Sequence, residues 1–319
     1  MDLYDDAVSG ALYKSPHEKE ETKSAAPGGT PSRLPGPEAG STVGGSLQMN
    51  RQVNSQVNWL DAMRDSAARA LDIPESRVFL KERKRMGHRR ETESQYSRIS
   101  EKNFYRDARE GDLIFRVNLS DYLDTGLFLD ARKKRAIIRT EAMGKRVLNL
   151  FAYTCSLSVS AAKGGARLVD SVDLSNTYLE WGRINFALNG MEAGYLNAAG
   201  ETGREGALNL IRSDVMEFLT NAARRRKRWD MIILDPPGFS NSKKMKGILD
   251  IRRDHQTLIR SCLSLLSPGG TLWFSSNARG FSLEGNDFPD YTLKDMRPAL
   301  VDEDFKGKRI PLCYTLQRR

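Results

Sequence analysis

The stretch Val147–Ser158, VLNLFAYTCSLS, reads as a buried strand that runs through a small-residue turn into a helix. In an open α/β sheet the turn after the first parallel strand cradles nucleotide-like ligands, and it is normally rich in glycine. This turn contains none, and Cys155 stands where a glycine is most expected. Whether it holds a cofactor, and whether its thiol is a nucleophile, depends on what surrounds it.

Downstream, apolar strands alternate with amphipathic helices. RLVDSVDL is a second strand, and Ser175 or Asn176 caps the helix TYLEWGRINFALNG, which Gly190 stops. A Gly/Ala-rich linker over 191–207 precedes the strand LNLIRSD and the helix VMEFLTNAARRRK. WDMIILDPPGF is a strand ended by its prolines, and DIRRDHQTLIRSCLSLL is a helix stopped at Pro268. TLWFSSN and PLCYTLQ are further strands. The alternation predicts an α/β domain over 126–319, a doubly wound, Rossmann-like, mostly parallel sheet with helices on both faces.

Upstream, Val53, Val57, Leu60, Met63, Ala67 and Leu71 are spaced as on a helix, and RVFLKER and DLIFRVNLS are strand-like. They predict a small α+β module over 51–125. Residues 1–50 are rich in Pro, Gly, Ser, Thr and Glu and are expected to be flexible, with MDLYDDAVSGALY at their start as a candidate docked strand.

No apolar run approaches the roughly 20 residues a membrane span needs, and the acidic N-terminus lacks a signal-peptide core. Cys155, Cys262 and Cys313 are widely spaced, as suits a reducing cytoplasm without disulfides. His17, His88 and His255 do not cluster with them, so no metal site is expected. The net charge is +9, with the positive excess after residue 50. KERKRMGHRR at 81–90, with Lys81, Arg83, Lys84 and Arg85, is a footprint for phosphate, so a nucleic acid is the expected partner. RRRKR at 224–228 reads equally well as a solvated helix end, where cations favour the dipole.

Successive strands carry polar residues at or near their ends: Asn149, Asp173, Asp214 and Asp235. An acid after the second strand can accept both hydroxyls of a ribose, and one after the third can accept from an adenine amine. One such aspartate alone would read as a helix cap, but three in register point to a nucleoside ligand. A dinucleotide needs G-x-G-x-x-G, which is missing. S-adenosylmethionine carries no phosphate, tolerates such a turn, and has a sulfonium that suits the carboxylates. DPPGFSNSKK at 235–244 forms a stiff loop after its strand. It presents Phe239 for an extruded base to stack on, Asn241 for a hydrogen bond, and Lys243 and Lys244 for phosphate.

TGLFLDARKKR, VLNLFAYTCSLSVSAAKGGA, SVDLSNTYLEWGRINFALNG, DPPGFSNSKKM, RRDHQTLI and FSSNARGF follow in order between about Val78 and the C-terminus. Together they resemble the RlmK-type 23S rRNA guanine-N7 methyltransferases. These are class I S-adenosylmethionine-dependent RNA methyltransferases related to the RlmI-type cytosine-C5 enzymes. The resemblance implies a class I methyltransferase domain with a seven-stranded sheet. Its cofactor would be surrounded by Asn149, Phe151, Tyr153, Thr154, Asp173, Leu174, Asp214 and Asp235. Thr125, Phe128, Asp130 and Arg132 would cover the methionine end. Asp235, Pro236, Pro237 and Phe239 would form the catalytic loop, and Arg279 would meet the base or its phosphate. In that family the module often follows a guanine-N2 methyltransferase half. These residues hold no counterpart of that half, so a separate partner of that activity is expected. Residue 155 is usually glycine there, and a Cβ at this point is expected to crowd the turn and weaken cofactor binding.

Methylation of cytosine C5 needs a cysteine that adds to the ring. Neither DPPGFSNSKK nor FSSNARGF contains one, Cys262 lies in a helix, and Cys313 lies in the last strand. Guanine N7 already offers a lone pair and needs placement alone. The reading is therefore methylation of guanine N7 in 23S rRNA. Cytosine-C5 or adenine-N6 methylation and a non-catalytic RNA-binding assembly factor stand as alternatives, and the turn disfavours a nicotinamide oxidoreductase.

Overall fold

The computed structural model describes residues 2–4, 7–13, 59–83, 98–196, 206–240, 249–278 and 280–319. The chain divides into two compact units, 1–93 and 94–319. In the smaller unit, β1 (Asp2–Tyr4) pairs antiparallel with β2 (Ala7–Tyr13). Strand β2 runs parallel to β3 (Val78–Arg83), an arrangement that requires a crossover. Helix α1, residues 59–71, lies on that crossover and sets Ala67 and Ala68 against Val78. Residues 2–4 and 7–13 are therefore strand, within the stretch MDLYDDAVSGALY that was the candidate docked strand of the otherwise flexible span 1–50. The rest of that span lies outside the described residues.

The larger unit begins with a hairpin of β4 (Tyr105–Glu110) and β5 (Leu113–Asn118). It continues through α2 (Arg132–Glu141), β6 (Arg146–Leu150), α3 (Ser156–Lys163), β7 (Leu168–Asp173) and α4 (Asn176–Leu188). Then follow β8 (Gly194–Leu196), β9 (Leu208–Arg212), α5 (Val215–Arg224) and β10 (Trp229–Leu234). A short antiparallel pair, β11 (Phe239–Ser240) and β12 (Leu249–Asp250), leads into α6 (Ile251–Leu263) and β13 (Leu266–Ser276). The chain finishes with β14 (Tyr291–Asp295), α7 (Arg297–Leu300) and β15 (Leu312–Arg318).

The sheet order is β14-β15-β13-β10-β6-β7-β9-β8, with β15 antiparallel to both of its neighbours. It has eight strands where seven were expected, because three residues of the Gly/Ala-rich linker pair with β9 as an edge strand. Side chains of β6 alternate across it. Leu148 and Leu150 enter the core under α5 and α6, and Val147 enters the opposite core under α2, α3 and α7. The parallel strands all end at one edge, and polar residues collect there.

The hairpin belongs to this unit. Ile114 and Arg116 donate their amides to the Asn189 and Asn185 side chains at 2.9 and 2.8 Å. The Trp181 indole donates to the Arg116 carbonyl at 2.7 Å. The division between units accordingly falls at 93 and not at 125. Among the described residues, no helix is long and apolar enough to cross a membrane, and no cluster of His, Cys, Asp or Glu could hold a metal ion.

Candidate active site

The turn after β6 bends without glycine by placing Phe151, Tyr153 and Cys155 at φ 56°, 51° and 61°. A left-handed conformation costs an ordinary residue about 1–3 kcal/mol, so it persists where neighbours over-determine it. Five contacts do so here. The Ala152 amide continues the strand ladder to the Val172 carbonyl at 3.0 Å, and the Cys155 amide donates to the Ala152 carbonyl at 2.8 Å. The Tyr153 amide donates to Asp173 Oδ2 at 2.9 Å. Thr154 Oγ1 donates to the Gly126 carbonyl at 2.5 Å, and Asn185 Nδ2 donates to the Thr154 carbonyl at 2.8 Å. The Cys155 side chain is fully buried, with its sulfur against Gly182 of α4. Its Cβ therefore projects into the helix layer, which corrects the expectation that it crowds the cofactor side of the turn.

Asp173 ends β7 beside this turn. Its Oδ2 takes the Tyr153 amide and its Oδ1 takes the Ser175 amide at 2.8 Å. The Leu174 amide is a third donor to this carboxylate, which leaves one of its roughly four acceptor positions for a ribose hydroxyl. Burial pushes this carboxyl up to about 6 in spite of the amide donors. Leu174 follows, half-buried. Asp214 caps α5, with Oδ1 accepting from the Glu217 amide at 3.1 Å. Asn149 lies within β6, one row back from the strand ends. Its Nδ2 donates to Ser158 Oγ at 2.8 Å, and its buried Oδ1 has no hydrogen-bond partner.

At the end of β10, Asp235 is part of a cluster that the sequence did not reveal. Lys134 Nζ, from α2, lies 3.1 Å from Asp235 Oδ2 and 2.5 Å from Ser275 Oγ. Ser275 Oγ is 2.7 Å from Asp235 Oδ1, closing the triangle. Lys134 is only 4% exposed. It shares a helix face with buried Ile138 and Ala142 at i+4 and i+8, a spacing visible in the sequence but masked by the run of basic residues around it. Asp130, just before α2, is raised by burial and then by the charge of Asp235.

Four consecutive basic residues open α2, where the helix dipole disfavours cations. Each is anchored separately. Arg132 pairs with Asp302 at 2.6 Å and with Asp304 at 2.7 Å, which turns it towards the C-terminal segment instead of the expected methionine end. Lys133 donates to the Val301 carbonyl at 2.6 Å, and Arg135 binds Glu110 and the Phe128 carbonyl. Thr125 is buried. Phe128 is about half exposed and lies 5.5 Å from the Tyr153 ring, which meets Tyr178 edge-on at 4.6 Å.

Pro236 is buried and Pro237 half-buried. The backbone of Phe239 pairs with Asp250. Lys81 is 6% exposed within β3, which removes it from the surface expected to meet phosphate. Arg83 ends the same strand. Lys84, Arg85, Asn241, Lys243, Lys244 and Arg279 lie outside the described residues. The run 224–228 closes α5 and leads into β10, at the sheet edge opposite the strand-end acids.

A mostly parallel sheet with acids at or just beyond the ends of β7, β9 and β10, beside a glycine-free turn, defines a class I nucleoside-cofactor domain. The chain belongs to the S-adenosylmethionine-dependent methyltransferase family, whose profile matches residues 44–295. Curated relatives called ribosomal RNA large subunit methyltransferase K/L share 42% identity over 263 residues (Saccharophagus degradans) and 44% over 261 residues (Pseudomonas putida F1). These cover 81% and 82% of this chain but 32% and 33% of the relatives, so the chain spans about a third of their length. A crystal structure of a methyltransferase complexed with SAH superposes with a TM-score of 0.58 at 24% identity, covering 83% of this chain and 66% of that one. An S-adenosylmethionine-dependent methyltransferase from Streptococcus mutans gives 0.53 at 27% identity, covering 68% and 56%. The residues present fit the family's cofactor: Asp173 keeps an acceptor position for a ribose hydroxyl, and the turn needs to admit no pyrophosphate.

Proposed function

We propose that this chain methylates N7 of a guanine in 23S rRNA of the large ribosomal subunit. The observation that carries the reading is a DPP loop with no reactive thiol beside it. All three cysteines are buried. Cys155 packs against α4, Cys262 sits inside α6, and Cys313 lies in β15. Burial pushes every one of these thiols up, Cys313 to about 11, so none offers a thiolate for covalent attack on a pyrimidine ring. The K/L naming of relatives at 42–44% identity supports ribosomal RNA as the substrate.

When bound, S-adenosylmethionine supplies a methyl group made electrophilic by its sulfonium. The work of the chain is placement. Asp173 receives a ribose hydroxyl, and Asp235 is held by Lys134 and Ser275 at the far end of the crevice. The loop from Asp235 through Phe239 receives the extruded guanine, with Phe239 stacking on it and Asn241, Lys243, Lys244 and Arg279 on the backbone. N7 attacks through an in-plane lone pair and loses no proton, so no general base is required.

Nucleoside mass spectrometry of 23S rRNA, from cells with and without this gene, tests the assignment. Loss of 7-methylguanosine, restored by the purified protein with S-adenosylmethionine, is the expected result. Unchanged 7-methylguanosine alongside loss of another methylated nucleoside would overturn it.

A further inference from the structure

S-adenosylmethionine ends in an amino acid, and the crevice wall where β10 and β13 end is charged. Asp235 lies there beside Lys134 and Ser275, and Asp130, just before α2, is near enough to be raised by its charge as well as by burial. A carboxylate arriving beside two acids is repelled unless a cation receives it. Of the five basic residues of α2, four are committed elsewhere: Arg132 to Asp302 and Asp304, Lys133 to the Val301 carbonyl, Arg135 to Glu110 and Arg139 to Asp112. Lys134 alone points to the strand ends, and Asp235 and Ser275 engage two of its three donors. Ordering so deep an ammonium is costly without anionic partners, and Asp235, with 40% of its side chain exposed, is the partner open to exchange.

We propose that Lys134 is the specificity residue for the carboxylate of the cofactor's amino-acid end. In the free protein Lys134 neutralises Asp235. With the zwitterion in place, the ligand's ammonium meets the exposed carboxylate of Asp235, and its carboxylate takes the remaining donor of Lys134. The crevice thereby distinguishes an intact amino acid from a bare amine carrying the same adenosine and sulfonium. This rests on the S-adenosylmethionine reading of the site and adds to it which group Lys134 recognises.

The test is isothermal titration of the full chain with S-adenosylmethionine and with decarboxylated S-adenosylmethionine, which keeps the amine and lacks the carboxylate. One charge-assisted hydrogen bond predicts a preference of about tenfold or more for the intact cofactor in the wild type. Lys134→Met is expected to reduce that preference to about twofold or less, and Lys134→Arg to preserve most of it. Thermal melting establishes that each variant is folded. A wild type that binds both ligands equally overturns the proposal without recourse to any variant. A preference that survives in Lys134→Met also overturns it and leaves the cofactor reading intact. Absence of binding by either ligand to the wild type overturns both.

Discussion

The sulfur of Cys155 occupies the space that a side chain on Gly182 would need. A Cβ built on Gly182 would lie 2.5 Å from that sulfur and 3.0 Å from Cys155 Cβ. The turn and α4 are thus fitted to each other, with the cysteine as the bulky partner. Gly182→Ala should cost about 1–3 kcal/mol by overpacking. Cys155→Gly relieves a left-handed backbone but empties a buried site, so its two effects oppose. In the double variant the alanine methyl fills the emptied space, and urea denaturation should show a loss smaller than the sum of the single losses. Strict additivity would rule out the interlock. Because the thiol points away from the crevice, Cys155→Gly should leave cofactor affinity within about twofold of wild type.

Asp173 links the site to pH. Its carboxyl is raised to about 6, so the folded chain holds that proton more tightly than the unfolded chain does. The group's contribution to stability is therefore fully present below about pH 4 and is lost as pH rises to about 6. Cofactor binding has the opposite sign, because the ionised carboxylate accepts a ribose hydroxyl. Affinity should fall by up to about tenfold per pH unit below about pH 6 and level off above it. Titration calorimetry across that range checks the slope. Asp173→Asn should bind weakly at every pH without the inflection, and an inflection that persists in this variant would assign it to another group.

Asp173 and Asp235 were legible as strand-end acids because each follows an apolar run and precedes a helix cap or a proline pair. Lys134 was not, because four basic residues in a row look like a solvated surface. Each in fact finds its own partner from a different part of the chain, and a sequence does not announce which carboxylates meet it. The hairpin shows the complementary limit. Strand β4, YRDARE, buries only Ala108, so it lacks the alternation that marks a half-buried strand. Its partner β5 buries four of six residues and was visible. The edge strand β8 is three residues in a Gly/Ala-rich stretch, held by its neighbour and not by its own composition.

Asp121 fastens the segment entering the hairpin. It is fully buried and accepts from Ser100 Oγ at 3.0 Å, the Asn103 amide at 3.1 Å, Ser120 Oγ at 2.6 Å and the Arg98 guanidinium at 2.9 Å. Donors from Ser120, Arg98, Asn118 and Asn103 hold its carboxyl well below the usual range despite burial. A depressed carboxylate contributes stability that is present above the unfolded value near pH 4 and is lost as pH falls below it. Asp121→Ala should therefore cost about 2 kcal/mol or more at neutral pH by stranding these donors. The deficit should narrow in acid, and chemical denaturation at pH 7 and about pH 3 reads both quantities. An equal deficit at both would show that the carboxylate's charge contributes nothing.

Gly126 carries the last prediction, because three parts of the site meet on it. Its φ of 97° is one that side chains rarely adopt, and a Cβ there would lie 2.3 Å from the Trp181 ring. Its carbonyl accepts from Thr154 Oγ1, which fixes the centre of the glycine-free turn. Trp181 in turn donates its indole N–H to Arg116 of the hairpin. Gly126→Ala must push the indole away, which strains its bond to the Arg116 carbonyl, or move its own carbonyl, which releases Thr154. The expected result is a loss of about 3 kcal/mol or more in stability. Cofactor affinity should fall at least about tenfold in the fraction that remains folded, since the left-handed turn loses one of the contacts that over-determine it. Trp181→Phe in the same chain makes room for the methyl but removes the indole donor. It should recover part of the stability while leaving the hairpin amide exchange faster than in wild type. If Gly126→Ala loses stability yet binds cofactor as tightly as wild type, the turn is held by its own backbone and the contact from Thr154 is dispensable.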